Sequence, residues 1–296
     1  MTPRCISADS HITEPPHTYS DFMGPRYRDR APQLRYVDGL GDAFLIDGLE
    51  RPVPMGLVAA AGKPAEEIRI NGVRFEEIHP GGWDPRARLA EQDQDGVLAE
   101  IIYPTVGMVL CNHPDFDYKK ACFEGYNRWL AEYCETAPER LIGLGQVSMR
   151  SPEDGVAELE SIAALGLRGV MMPGNPQQED YDSKIYAPFW EKSIELGLPL
   201  SFHILTDRNY AFQTEPRGPA MNGFLSIVRG CQDVMGALVL GGVFESLELR
   251  VVIALAFVGQ EEPKVSVQNR SIEPWLQTTT PEPAKEWKQS HEDRTK

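Results

Sequence analysis

Residues 197–204 read Gly197-Leu198-Pro199-Leu200-Ser201-Phe202-His203-Ile204, a glycine, then a short apolar run with an imidazole near its end. Glycine ends a helix without a steric penalty, and an apolar run of this length fits a strand buried on both faces. The same rhythm recurs at Gly96, ahead of Leu98 to Tyr103, and at Gly166, ahead of Leu167 to Met172. Repeated helix–glycine–strand units predict an α/β fold on a parallel sheet. Strands are expected near 4–9, 98–104, 141–147, 168–172, 198–204 and 250–255.

Helix starts support this reading. Asp84-Pro85 supplies a carboxylate cap and a first-turn proline before Arg86 to Asp95. Ser151-Pro152-Glu153-Asp154 approximates a capping box and opens a helix with Val156, Leu159 and Ala163 on one face. Between Asp117 and Glu135, residues Cys122, Tyr126, Trp129, Leu130 and Tyr133 recur at helical spacing, a pattern of core packing. Between the first two strands the rhythm breaks. Asp47-Gly48 and Asn71-Gly72, each flanked by apolar positions, read as two hairpin turns, so a small β insertion is expected over about 36–79.

The chain has 296 residues, and a single α/β barrel needs roughly 250. The expected architecture is a TIM-barrel-like (β/α)8 fold over residues 1–256, incomplete at about six βα units. After Ala256 come Pro263, Pro274, Pro281 and Pro283 with little apolar periodicity, so 257–296 is expected to be a poorly ordered tail. Two further βα units would each need on the order of 30 residues. The sequence past Ile253 or Ala254 also has the character of another reading frame, and a truncated chain is one expectation.

The net charge of −15, with no offsetting Lys/Arg cluster, argues against nucleic acid or an anionic membrane as the main partner. Five cysteines without a CxxC pair suit a reducing cytosol. The first residues carry no secretory signature, and no apolar run approaches the ~20 residues that cross a bilayer. The expected location is cytoplasmic.

Chemistry gathers at strand ends. Asp9 and His11 are two residues apart at the end of the first strand, so they share a face. His203 ends another strand, and barrel active sites lie at strand C-termini. One carboxylate and two imidazoles suit Zn²⁺ first, with Mn²⁺ or Fe²⁺ as alternatives. Read alone, Asp-x-His also fits a helix cap beside a satisfied histidine. Glu14 reads as a solvated loop acid before Pro15-Pro16, and His17, His79 and His113 as surface or turn histidines. Arg208 is a candidate fork for a substrate carboxylate, and Gly81-Gly82 lacks the strand–helix setting of a phosphate loop.

Several passages together resemble a known family. They are Ile6-Ser7-Ala8-Asp9-Ser10-His11, Asp84-Pro85-Arg86-Ala87-Arg88-Leu89, Ala99-Glu100-Ile101-Ile102-Tyr103-Pro104-Thr105 and Tyr126-Asn127-Arg128-Trp129-Leu130. Gly166-Leu167-Arg168-Gly169-Val170, the stretch from Gly197 to His203, and Gly242-Val243-Phe244-Glu245 complete the set. In this order they resemble the amidohydrolase-related group that includes aminocarboxymuconate-semialdehyde decarboxylase and the resorcylate-type decarboxylases. The resemblance implies a metal held by Asp9, His11 and His203. It also implies a late-strand Asp, whereas the only Asp after Ala254 here is Asp293, and a sixth-strand histidine, where Val251-Val252-Ile253-Ala254 stands instead.

The implied activity is a metal-dependent, non-oxidative carboxy-lyase acting on a small cyclic or unsaturated carboxylic acid. The alternatives are a metal-dependent hydrolase of an ester, lactone or amide, and a catalytically impaired truncated homologue. Barrels of this family often pair as homodimers. No catalytic proton donor is identified in the sequence.

Overall fold

Parallel strands carry apolar side chains on both faces because helices cover one side and the barrel interior the other. The first strand, β1 (Cys5–His11), is only partly covered, and it joins five later strands in one sheet. The computed structural model describes residues 5–207, 218, 221–245 and 251–254. By contacts the chain divides into Met1–Val258 and Gly259–Lys296; the second unit, and with it the expected tail and Asp293, lies outside the described residues, as does Arg208.

After β1 comes a short helix, α1 (Thr18–Phe22), and then an antiparallel sheet of β2 (Gln33–Val37), β3 (Gly41–Leu45) and β4 (Val53–Pro54). The β insertion is therefore present, beginning before residue 36. One expected turn is overturned. Asp47-Gly48 does lie between β3 and β4, but Asn71-Gly72 joins no hairpin. Instead Gly72 N donates to Leu40 O, and Val73 forms a lone parallel bridge to Gly41. The β2–β3 turn falls at Asp38-Gly39, where Gly39 takes φ +76°. An Asn-Gly pair marks a left-handed backbone, which Gly72 does adopt at φ +77°, yet that conformation serves loops as well as hairpins.

The main alternation then runs α2 (Pro85–Asp95), β5 (Val97–Tyr103), α3 (Val106–Leu110), α4 (Phe116–Glu135), β6 (Leu141–Gln146), α5 (Pro152–Ala164) and β7 (Gly169–Met172). It continues with α6 (Ala187–Glu195), β8 (Leu200–His203), α7 (Met221–Leu240) and β9 (Val251–Ala254). All sheet pairings are parallel, in the order β1-β5-β6-β7-β8-β9. This is the curled parallel sheet of an incomplete barrel, with β1 and β9 at its edges among the described residues.

The caps hold as read. Asp84 accepts from Arg86 N and Ala87 N, and Ser151 accepts from Asp154 N. Gly96 closes α2 with φ +75°, a left-handed conformation that would strain a side chain. On α4 the whole stripe is buried, Tyr126 and Leu130 completely. On α5 the buried face is instead Gly155, Glu158, Leu159 and Ile162, while Val156 and Ala163 are only partly covered. Gly145 of β6 explains the rotation: a Cβ there would meet Ile162 at 2.8 Å, so the strand offers a groove that seats Ile162.

Candidate metal centre

β1 alternates, and its end decides the site. Ser10 turns outward, donating to Glu100 Oε1 at 3.2 Å, so Asp9 and His11 turn inward. On β8, Ser201 faces inward and bonds the Tyr103 hydroxyl at 2.7 Å, which puts His203 on the same inner face. Three side chains from two strands thus meet at the C-terminal end of the sheet.

Their contact atoms form a nearly equilateral triangle. Asp9 Oδ1 lies 3.3 Å from His11 Nε2 and 3.3 Å from His203 Nε2, and the two Nε2 atoms are 3.2 Å apart. A tetrahedral ion with ligands at ~2.0–2.1 Å would space them by about 3.3 Å, and an octahedral one by about 3.0 Å. The observed edges fall between these values.

Tautomers sharpen the fit. His11 Nδ1 lies 2.9 Å from Pro104 O, and His203 Nδ1 lies 3.0 Å from Ile204 O. A carbonyl only accepts, so each Nδ1 carries the proton and each Nε2 presents a lone pair. Two lone pairs and a carboxylate converging on one point repel unless a cation lies between them. A bound cation relieves that repulsion, and so does an Nε2 proton: against the burial that disfavours its charge, hydrogen bonds and attraction from protonated His11 and His203 hold the Asp9 carboxyl well below the usual range. Among the described residues this is the group of acids, histidines and cysteines that meets the geometry of a metal site.

The surroundings keep the triangle in shape. The Tyr103 ring packs against both imidazoles, with centroids at 5.8 Å and 5.0 Å. Burial pushes its hydroxyl well above the normal range, so Tyr103 stays neutral. Arg88 of α2 donates to His11 O at 2.5 Å, to Gly81 O at 2.8 Å and to Glu100 Oε2 at 3.1 Å. Gln92 donates to the same Glu100 oxygen at 2.9 Å. One guanidinium therefore ties the end of β1 to α2, β5 and the loop at Gly81.

Glu14 corrects the reading of a solvated acid. It is fully buried and accepts from the backbone N–H groups of Thr105, Val106 and Gly107 at 3.0–3.3 Å. Burial raises its pKa, and those amides oppose the rise. Its carboxylate pins the exit of β1 to the start of α3, a structural role beside the site. His113 also departs from expectation: it is 1% exposed, with Nε2 2.7 Å from Asp47 O. His17 is exposed as expected. His79 is partly exposed but lines the cavity that holds His11 and His203.

That cavity has a volume of about 680 Å³. Val53, Ile78, Met108, Val109 and Ile204 give it largely apolar walls, and His11 and His203 line it as well.

The amidohydrolase family model matches residues 75–254. The curated 2-amino-3-carboxymuconate-6-semialdehyde decarboxylase of Dictyostelium discoideum is 28% identical over 138 residues, 46% of this chain and 38% of that protein. The matched stretch is thus well under half the length of that relative. Among solved structures, an amidohydrolase from Mycobacterium avium subsp. paratuberculosis superposes with a TM-score of 0.65 at 23% identity, covering 86% of this chain and 73% of its own. A manganese-bound 5-carboxyvanillate decarboxylase from Novosphingobium aromaticivorans superposes at 0.53 with 20% identity, covering 84% and 64%. At these identities the structural likenesses establish the fold.

Proposed function

This chain belongs to the amidohydrolase family, and from that membership we propose a metal-dependent carboxy-lyase acting on a cyclic or unsaturated carboxylic acid. The observation that carries the reading is the convergence of two Nδ1-protonated imidazoles and an ionised carboxylate at 3.2–3.3 Å, both imidazoles lining a largely apolar cavity. Asp9, His11 and His203 would hold one divalent ion, zinc by ligand type, with manganese or iron as alternatives. The bound ion supplies Lewis acidity toward a carboxylate or neighbouring oxygen. The residues do the rest of the preparation. Pro104 O and Ile204 O fix the two imidazoles in the ligating tautomer, Arg88 fixes the carbonyl of His11, and the apolar walls exclude water from the acid's ring or double bond. The free thiols of its cysteines fit a reducing cytoplasm. The family relative and the fold neighbours named above are decarboxylases or amidohydrolases, which favours this class.

A second reading is hydrolysis of an ester, lactone or amide. The observation in its favour is the register of β9, which sets Ala254 level with His203. Alanine has no proton to give a carbon as carbon dioxide leaves. One experiment separates the readings: metal-loaded protein is offered hydroxybenzoates and muconate semialdehydes, then esters, lactones and amides. Carbon dioxide release that disappears in His203→Ala supports the lyase. Turnover confined to the second panel would replace it with the hydrolase.

A further inference from the structure

The cavity is larger than a one-ring acid requires. At about 30 Å³ per water-sized group, 680 Å³ has room for roughly 20 non-hydrogen atoms. Its apolar lining comes from the insertion, through Val53, Val58, Ala61 and Ile78, and from α3, through Met108 and Val109. Polar residues line it too, among them Arg88, Gln92 and Glu100. His79 and Glu91 border the same space, with His79 Nδ1 2.7 Å from Glu91 Oε1.

This pair is built rather than incidental. A Cβ on Gly81 would lie 2.0 Å from Glu91 Oε2, so only glycine lets the carboxylate rest on that loop. The loop is anchored in turn: Thr13 N donates to Gly82 O at 2.7 Å, and Arg88 Nε donates to Gly81 O at 2.8 Å while its Nη2 holds His11 O. The pair therefore keeps a fixed relation to a ligand of the metal triad. The Glu91 carboxylate accepts from Nδ1–H, which leaves the Nε2 lone pair of His79 to accept a hydrogen bond.

We propose that His79 and Glu91 form a second polar subsite on this cavity that binds a hydroxyl of a substrate whose acid group sits at Asp9, His11 and His203. The substrate class is then an aryl or unsaturated carboxylic acid of about two rings, with an apolar body and a phenol or alcohol on the ring away from the acid. This rests on the metal reading above and adds its own requirement at His79 and Glu91.

The test is calorimetric titration of the full-length, zinc-loaded chain. The probes are benzoate, then biphenyl-4-carboxylate and 4-phenethylbenzoate, each two-ring acid bearing hydrogen, hydroxyl or methoxy at the far para position. The second ring is expected to tighten binding about ten-fold or more over benzoate. The hydroxyl should add about five-fold on at least one spacer, with no gain from methoxy, which has no proton to donate. That hydroxyl gain should vanish in His79→Ala and shrink in Glu91→Gln. In Ala61→Trp, which adds a bulky ring to the cavity lining, the second-ring gain should vanish. No second-ring gain, or a hydroxyl gain preserved in His79→Ala, would overturn the proposal. Benzoate binding that does not depend on zinc would refute the metal reading instead, and the substituent increments would still report on the subsite.

Discussion

Glu158 makes the account testable through pH. This carboxyl is 7% exposed on α5 and holds the loop after β6, accepting from Ser148 N at 2.9 Å and Ser148 Oγ at 2.7 Å. Burial pushes its pKa from an ordinary 4.5 up to about 7, against the opposing pull of those bonds and of Lys120. The folded protein thus binds this proton more tightly than the unfolded chain. Its contribution to stability is fully present below about pH 4.5 and is lost as pH rises through about 7. At about 1.4 kcal/mol per pH unit, the interval amounts to about 3 kcal/mol. Glutamine at this position keeps both bonds, because its oxygen accepts from Ser148 N and its amide donates to Ser148 Oγ, and it does not titrate. Urea denaturation of wild type and Glu158→Gln between pH 5 and 8 is the assay. The stability difference should swing by about 3 kcal/mol in favour of the variant as pH rises. The acids held at low pKa do not interfere: Asp154 titrates near 2, beneath this window, and Asp9 is held well below the usual range. Parallel pH profiles for the two proteins would refute the argument that burial governs Glu158.

Other outcomes follow from single contacts. Glu14→Ala strands the amides of Thr105, Val106 and Gly107, and at about 1–3 kcal/mol for each unsatisfied group a loss of about 3–5 kcal/mol is expected by thermal unfolding. Arg88→Lys removes the fork shared by His11 O, Gly81 O and Glu100. Zinc affinity should fall about ten-fold or more while the far-ultraviolet circular dichroism stays native; unchanged affinity would count against the positioning role. Thiol titration of native protein should show one fast cysteine, exposed Cys5. Burial pushes Cys111, Cys134 and Cys231 up to about 12 and Cys122 higher still, so these should react only on unfolding.

Strand positions and the candidate ligands are legible in the sequence for different reasons. Strand ends show because glycine marks the helix exit and an apolar run marks burial on both faces. Asp9 and His11 show because a period of two places both on one face, and His203 because it closes such a run. What the chain does not announce are partners brought together by tertiary packing. Glu14 looks solvated beside two prolines until the start of α3 arrives with three amides. His113 becomes buried only when the loop after β3 folds over it. The Arg88–Glu100 pair did leave a trace: a lone carboxylate inside Leu98-Ala99-Glu100-Ile101-Ile102 calls for a buried cation. The His79–Glu91 contact spans a turn and a helix, and only Gly81 between them hints at close approach.

The central claim is that Asp9, His11 and His203 bind one divalent ion. Elemental analysis after zinc or manganese loading and exhaustive dialysis tests it most directly. Wild type should retain about one ion per chain, and Asp9→Asn, His11→Ala and His203→Ala should each lose most of it while staying folded. Equal metal content in wild type and the three variants would contradict the account.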